Sequence, residues 1–282
     1  IGTVTTGACL SVVSQTKADN MFQITPSASA AKVIANDNCF QVCFTDPNQG
    51  TASADYIASK GLATKVAVIY NSSDAYSSGI YDNFKAEAAA KGLDLVASEA
   101  FTGDSKQDFS SQLSKIKASG AELIFLPIYY QEASLILSQA KNAGITAKFF
   151  GCDGLDGLLN IENFDKSLAE NVMLLPPFAA NATDETTKKF VAAYNAKYDP
   201  STLNQFAADA YDAVYVVKAA AEKAGVTGDM SVSDICNALK GAMTEITVDG
   251  VTGSGMTWKA TGEVNKEPKA VKIENGEYQP MD

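Results

Sequence analysis

Two hydrophobic rhythms alternate along this chain. Val66-Ala67-Val68-Ile69-Tyr70 and Leu123-Ile124-Phe125-Leu126 are continuous apolar runs. They are too short for helices and rich in β-branched and aromatic residues, which predicts strands buried on both faces of a parallel sheet. Asn71, Ser72, Ser73 and Asp74 break the first run with side chains that favour turns and N-caps. Beyond them Ile80, Phe84 and Ala88 recur at four-residue spacing, predicting an amphipathic helix from Ser77 to about Gly92. Strands follow over 93–97 and 147–151. Helices are predicted over 109–119 and 132–142, stopped at Gly120 and Gly144. This strand–helix succession predicts a doubly wound parallel sheet of the α/β class.

The flanking segments predict a second layered unit. A helix is expected over 9–20 with Leu10, Val13 and Ala18 inward. Short strands are expected over 21–25, stopped by Pro26, over 39–45, and over 172–178 with Pro176-Pro177 at its end. Helices are expected over 182–198 (capped by Thr183 or Asp184), over 206–225 with a wide, largely buried face, and over 233–242. Residues 251–262 read as strand and turn, and Lys269–Gly276 alternates up to an Asn275-Gly276 hairpin turn. Segments near 45–48, 176–180 and 262–268 are the expected crossings between two lobes, 1–47 plus 178–264 and 48–177 plus 265–282. Several crossings make a hinge, and a hinge beside a cleft predicts closure on a ligand. Residues 1–6 read as the end of a buried strand. A chain that opens inside a strand predicts further sequence upstream, with lobe one lacking its first strands here. No signal peptide stands at this start.

Composition narrows the chemistry. The chain has 282 residues, a formal net charge of −11, no histidine and no arginine. That charge disfavours nucleic acid and anionic membrane as partners, and no apolar run approaches the roughly 20 residues of a membrane span. Without histidine there is no Ser-His-Asp or Cys-His pair. Without arginine no guanidinium clamp holds an anion, which leaves lysine, hydroxyls and backbone N–H groups. The five cysteines, Cys9, Cys39, Cys43, Cys152 and Cys236, include no CxxC. Cys39 and Cys43 would lie roughly 13 Å apart along a strand, beyond disulfide reach. Small buried thiols are expected, with no metal and no cofactor.

In a parallel α/β sheet, ligands sit outside the carboxyl ends of the strands. Three such ends carry polar side chains here: Asp74 and Tyr76, Tyr129 and Tyr130, and Asp153 between Gly151 and Gly154. Tyr76 is expected at a loop tip. Turn formation alone would also account for Asp153, and a capped helix start with a surface tyrosine for Tyr76. An enzyme would need Ser or Thr nucleophiles with lysine bases, or a carboxylate pair such as Asp153 and Asp156, and no partner at useful spacing accompanies them.

Four stretches, 40–50 (Phe40 to Gly50), 66–76 (Val66 to Tyr76), Asp108-Phe109-Ser110 and 253–262 (Gly253 to Gly262), together resemble type I periplasmic binding proteins. The likeness is greatest to the leucine/isoleucine/valine-binding proteins of ABC importers. It implies a two-lobed, hinged, non-enzymatic monomer that captures an aliphatic amino acid outside the cytoplasm and delivers it to a membrane ABC permease. It also implies the site residues. Loops Thr5-Thr6-Gly7 and Ser27-Ala28-Ser29 of lobe one would hold the ligand's carboxylate. Asp153 would hold the ammonium, with less reach than the more usual glutamate. Tyr76 and Tyr129 would close over the ligand, and Phe206 would wall its side chain. Relative to the family the chain lacks roughly the first quarter, and Thr5 stands where a paired cysteine is common. Ligand-sensing domains of receptors and regulators share this fold and remain the alternative.

Overall fold

The structure is a computed structural model that describes residues 1–281. In chain order it begins with two short helices, α1 (Thr6–Leu10) and α2 (Val13–Ala18), and the strands β1 (Gln23–Thr25) and β2 (Cys39–Gln41). A sheet-and-helix unit follows: α3 (Asp46–Ser59), β3 (Lys65–Asn71), α4 (Ala75–Ala90), β4 (Asp94–Phe101), α5 (Ser110–Ser119), β5 (Leu123–Leu126), α6 (Tyr130–Asn142), β6 (Lys148–Gly151) and β7 (Met173–Leu174). Then come α7 (Glu185–Asn195), α8 (Gln205–Ala224), α9 (Val232–Met243), β8 (Val271–Glu274) and β9 (Glu277–Pro280).

β1 and β2 pair in parallel, and the other seven strands form one sheet in the order β4-β3-β5-β6-β7-β8-β9. The five strands β4 to β7 run parallel, and β8 and β9 close the edge antiparallel. The chain winds outward from β3 to β4, then returns across β3 to β5. That reversal places a crevice outside the carboxyl ends of β3 and β5. The continuous apolar runs are explained by burial on two faces. Val66, Val68, Leu123 and Phe125 pack with α3 and α4, while Ala67, Ile69, Ile124 and Leu126 pack with α5 and α6. The smaller unit buries Ile24, Phe40 and Val42 against Ala213, Val216 and Ala220 of α8 and Leu239 and Met243 of α9. Trp258 joins that core and donates from Nε1 to the Gln41 carbonyl at 2.7 Å.

Local signals account for the boundaries. Asp74 caps α4 by accepting from Ser77 N. Gly120 and Gly225 end α5 and α8 in the left-handed conformation, at φ 71° and 64°. Asn275 and Gly276, both at positive φ, turn β8 into β9. All five cysteines are free and buried, as expected.

Several expectations fail for identifiable reasons. Residues 1–5 join no strand and contribute one backbone bond to β1, Gly2 N to Ile24 O at 2.8 Å. The helix expected over 9–20 is two helices, broken where Val12 N bonds back only three residues to Cys9, and Ala18 is exposed. The strand expected over 39–45 stops at Gln41. The segment near 45–48, expected as a crossing, is where α3 begins, capped by Thr45 and helped by Pro47 in the first turn. Pro176 and Pro177 have no N–H to give, and the strand before them shrinks to Met173–Leu174. Residues 251–262 supply only isolated bridges, Val248 with Met256 and Trp258 with Val264. Helix α8 is buried on one face only, with Tyr211, Val214 and Tyr215 exposed on the other.

Candidate functional site

The site is built where the parallel strands end. Asp153 follows β6 in a single 3-10 turn, Asp153–Leu155, and is buried. Tyr76 is the second residue of α4, not a loop tip, and it is also buried because α4 packs on the sheet with Ile80 and Phe84. Its hydroxyl donates to Asp153 Oδ1 at 2.7 Å and accepts from Gly154 N at 2.9 Å. Gly154 is required there, since a Cβ would lie 2.5 Å from the Tyr76 hydroxyl and 2.7 Å from the Ile128 carbonyl oxygen. Tyr129, at the end of β5, stacks on Tyr76 with ring centroids 4.7 Å apart. Three strand ends are thus drawn into one cluster.

The small unit meets that cluster directly. α1 packs against α4, and the Thr6 backbone lies within hydrogen-bonding reach of the Tyr129 hydroxyl. The Thr6 hydroxyl accepts from Ser29 N at 3.2 Å and Ala30 N at 3.3 Å, pinning one loop to the other. Ser27, Ala28 and Ser29 are buried; the Ser27 hydroxyl has no hydrogen-bond partner, and the Ser29 hydroxyl lies beside the Asp46 carboxylate without closing a well-formed bond to it. Unpaired hydroxyls in a dry place are costly unless something donates to or accepts from them. Thr5 caps α1 without a side-chain bond and is exposed, outside the cluster. Phe206 is half-buried on the second residue of α8, and its neighbour Gln205 makes the contact instead. Gln205 Nε2 donates to the Asp153 carbonyl at 2.6 Å, and Gln205 N donates to Asp156 Oδ2 at 2.6 Å.

Burial dominates the electrostatics. It raises Asp153 and Asp156 to about 6 each, although Tyr76 and Gln49 bonds pull Asp153 down and the Gln205 N–H pulls Asp156 down. Burial also raises the Tyr76 and Tyr129 phenols, with nearby aspartates adding to the shift. Asp46 at the start of α3 is raised well above the usual carboxylate range by burial, with the Ser29 hydroxyl pulling it back and the Asp153 and Asp74 charges adding to the rise. A separate buried network links Lys266, Asp209, Thr252 and Asp212. Among the described residues no group of three or more Cys, Asp or Glu is placed to hold a metal ion. No helix among them is long and apolar enough to cross a membrane. A 540 Å³ cavity lined by Thr146, Lys148, Met173 and Lys272 lies at the opposite, amino-terminal end of the strands.

Sequence reading missed Gln49, Gln205 and Asp46. Gln49 Oε1 accepts from Asp153 N at 3.3 Å. A glutamine in a helix carries no local signal of its partner, and only the fold brings 49, 153 and 205 together. Asp156 was visible only as half of a carboxylate pair, and the structure shows its oxygen accepting from the first N–H of α8.

The periplasmic binding protein family model matches residues 1–277. The chain is 33% identical over 232 residues to the Leu/Ile/Val-binding protein homolog 3 of Brucella melitensis, covering 81% of this chain and 61% of that protein. Among solved structures, a leucine binding protein LivK from Thermotoga maritima superimposes with a TM-score of 0.87 at 25% identity, covering 100% of this chain and 78% of that one. The substrate binding protein LivJ of a branched-chain amino acid transporter from Streptococcus pneumoniae, in complex with isoleucine, gives 0.83 at 28% identity, covering 99% and 76%. The chain spans less than two thirds of the Brucella protein's length. Both the matched length and the shared architecture establish that the chain belongs to the periplasmic binding protein family.

Proposed function

We propose that this chain is the ligand-binding part of an extracytoplasmic solute-binding protein, which captures an amino acid between two lobes and passes it to a membrane ABC permease. The lobes are residues 1–47 plus 178–264 and residues 48–177 plus 265–282, acting as a monomer. The relatives' names put leucine, isoleucine and valine first among the candidate ligands. The observation that carries the reading is the pairing of unlike chemistry across one buried junction. A carboxylate, Asp153, is carried by one unit, and the other carries the unpaired Ser27 hydroxyl and the Ser29 hydroxyl beside Asp46.

A zwitterion fits that polarity. Its ammonium goes to Asp153, which Tyr76 and Gln49 hold in place. Its carboxylate goes to the Thr6 and Ser27–Ser29 loops, as a chain without arginine requires. Tyr129 over Tyr76 and the α8 side of Phe206 enclose the remainder. In this reading the arrangement moves no proton and breaks no bond, and Asp156 is engaged by α8. The test is a thermal-shift screen of the protein against the twenty amino acids. A ligand at ~100 times its dissociation constant should add roughly 2.7 kcal/mol of stability. A screen in which no amino acid raises the melting temperature would overturn the reading.

A further inference from the structure

Helix α8 turns two side chains inward, one helical turn apart, beside the loop that carries Asp153. Gln205 and Asp209 are both fully buried. Gln205 uses its Nε2 on the Asp153 carbonyl, which leaves its Oε1 without a partner. Asp209 Oδ1 meets Lys266 Nζ at 3.3 Å, and Lys266 also donates to Thr252 Oγ1 at 2.5 Å. This anchorage holds the Asp209 carboxylate by one oxygen. Its other oxygen, Oδ2, is buried and unpaired. Asp209 is close enough to Asp153 for the two charges to repel, and burial, more than that repulsion, raises Asp209 to about 7. Lys266 is almost wholly buried. Its presence keeps one carboxylate oxygen satisfied without covering the second.

Two buried oxygens on one face of α8, Gln205 Oε1 and Asp209 Oδ2, therefore lack hydrogen-bond partners beside the loop that carries Asp153. A buried acceptor left dry is unfavourable, and an aliphatic group placed against it leaves it dry. A site built to hydrogen-bond a polar group rejects the analogue that lacks that group far more strongly than an apolar pocket rejects an extra methylene. We propose that Gln205 and Asp209 form an acceptor pair that selects a ligand side chain ending in a nitrogen donor over an aliphatic side chain of similar length. The inference rests on the amino-acid reading above and revises only its side-chain end. A primary amide and an ammonium group share the required N–H donors.

The experiment is calorimetric titration of the protein with glutamine, lysine, leucine and norleucine, whose side chain matches glutamine in length and equals lysine without its nitrogen. At least one of glutamine and lysine should bind tenfold or more tightly than norleucine, and which of them does so identifies the nitrogen group. Replacing the ion pair as a unit, Asp209→Leu with Lys266→Met, avoids stranding a buried charge and should shrink that ratio tenfold or more. Circular dichroism checks that the double variant folds. If it does not fold, the four-ligand comparison on the unaltered protein decides the matter alone. Leucine or norleucine binding as tightly as both nitrogen ligands would overturn the inference while leaving the amino-acid reading intact. No binding by any of the four, together with a blank screen of all twenty, would overturn both.

Discussion

The Tyr76 hydroxyl sits between two groups of one loop, donating to Asp153 Oδ1 at 2.7 Å while accepting from Gly154 N at 2.9 Å. One side chain of α4 thus fixes both the rotamer of the carboxylate and the backbone that follows it. Tyr76→Phe removes both bonds and keeps the ring that stacks on Tyr129. A hydrogen bond to a charged group is typically worth about 1.5–3 kcal/mol, so amino-acid affinity should fall by one to two decades with little change in ring packing. Titration of the variant checks this, and an unchanged dissociation constant would remove Tyr76 from the site.

Protonation supplies a second prediction. Burial raises Asp153 and Asp156 from 3.8 to about 6 in the folded chain. Between those values the folded state holds more protons than the unfolded state. Stability of the free protein should therefore fall as pH rises from about 4 to about 6, then level off with respect to these groups. Each contributes on the order of 3 kcal/mol across that window. Affinity for an ammonium should move the opposite way, rising through pH 6 as Asp153 ionises. Melting temperatures of free and ligand-saturated protein between pH 4 and 7 should diverge as pH rises, and parallel curves would contradict the assignment.

The third prediction concerns how α3 and α4 reach each other. A Cβ on Gly50 would lie 2.5 Å from the Ile80 carbonyl oxygen and 2.7 Å from Phe84 N. These are backbone atoms of α4 and cannot step aside singly. Gly50→Ala should force the helices apart at a cost of about 1–3 kcal/mol, as for other overpacked interiors. Because α4 carries Tyr76, ligand affinity should weaken with it. A urea midpoint equal to that of the parent chain would show that the contact is softer than drawn.

The small unit offers a fourth. Thr6 Oγ1 accepts from Ser29 N and Ala30 N, both buried. Thr6→Val keeps the shape and strands two N–H groups, which should cost about 1–3 kcal/mol or more in stability. If the same loop holds the ligand's carboxylate with neutral donors, binding should change little with salt, and an amino acid amide should bind poorly. Equal affinity for the acid and its amide would place the carboxylate elsewhere.

Elements governed by local chemistry were readable from the sequence. The Val66–Tyr70 and Leu123–Leu126 runs became strands β3 and β5, Asp74 capped α4, and Asn275-Gly276 turned the terminal hairpin. The buried cluster was half readable. Tyr76, Tyr129 and Asp153 come together because each follows a parallel strand, a topological fact that strand order implies. Gln49, Gln205 and Asp209 were not readable, since their partners lie far away in the sequence and no spacing announces them. Phe206 was expected as a wall only because the family resemblance implies one at that position. The phase of α8 instead turns Gln205 inward, and helix phase depends on which face packs, not on composition. Tyr76 was expected at a surface tip because its neighbours are polar. The helix simply starts two residues earlier than the apolar periodicity suggests.

The central claim is that Asp153 holds the ammonium of an amino acid between the two lobes. It is tested most directly by calorimetric titration of the parent chain and of Asp153→Asn with the tightest amino acid from the thermal screen and with its N-acetyl derivative. Asparagine keeps the size and removes the charge. The account predicts that affinity falls by one to two decades in Asp153→Asn, and that acetylation of the amine weakens binding to the parent chain by at least as much. An Asp153→Asn chain that folds normally and binds the amino acid as tightly as the parent would contradict it.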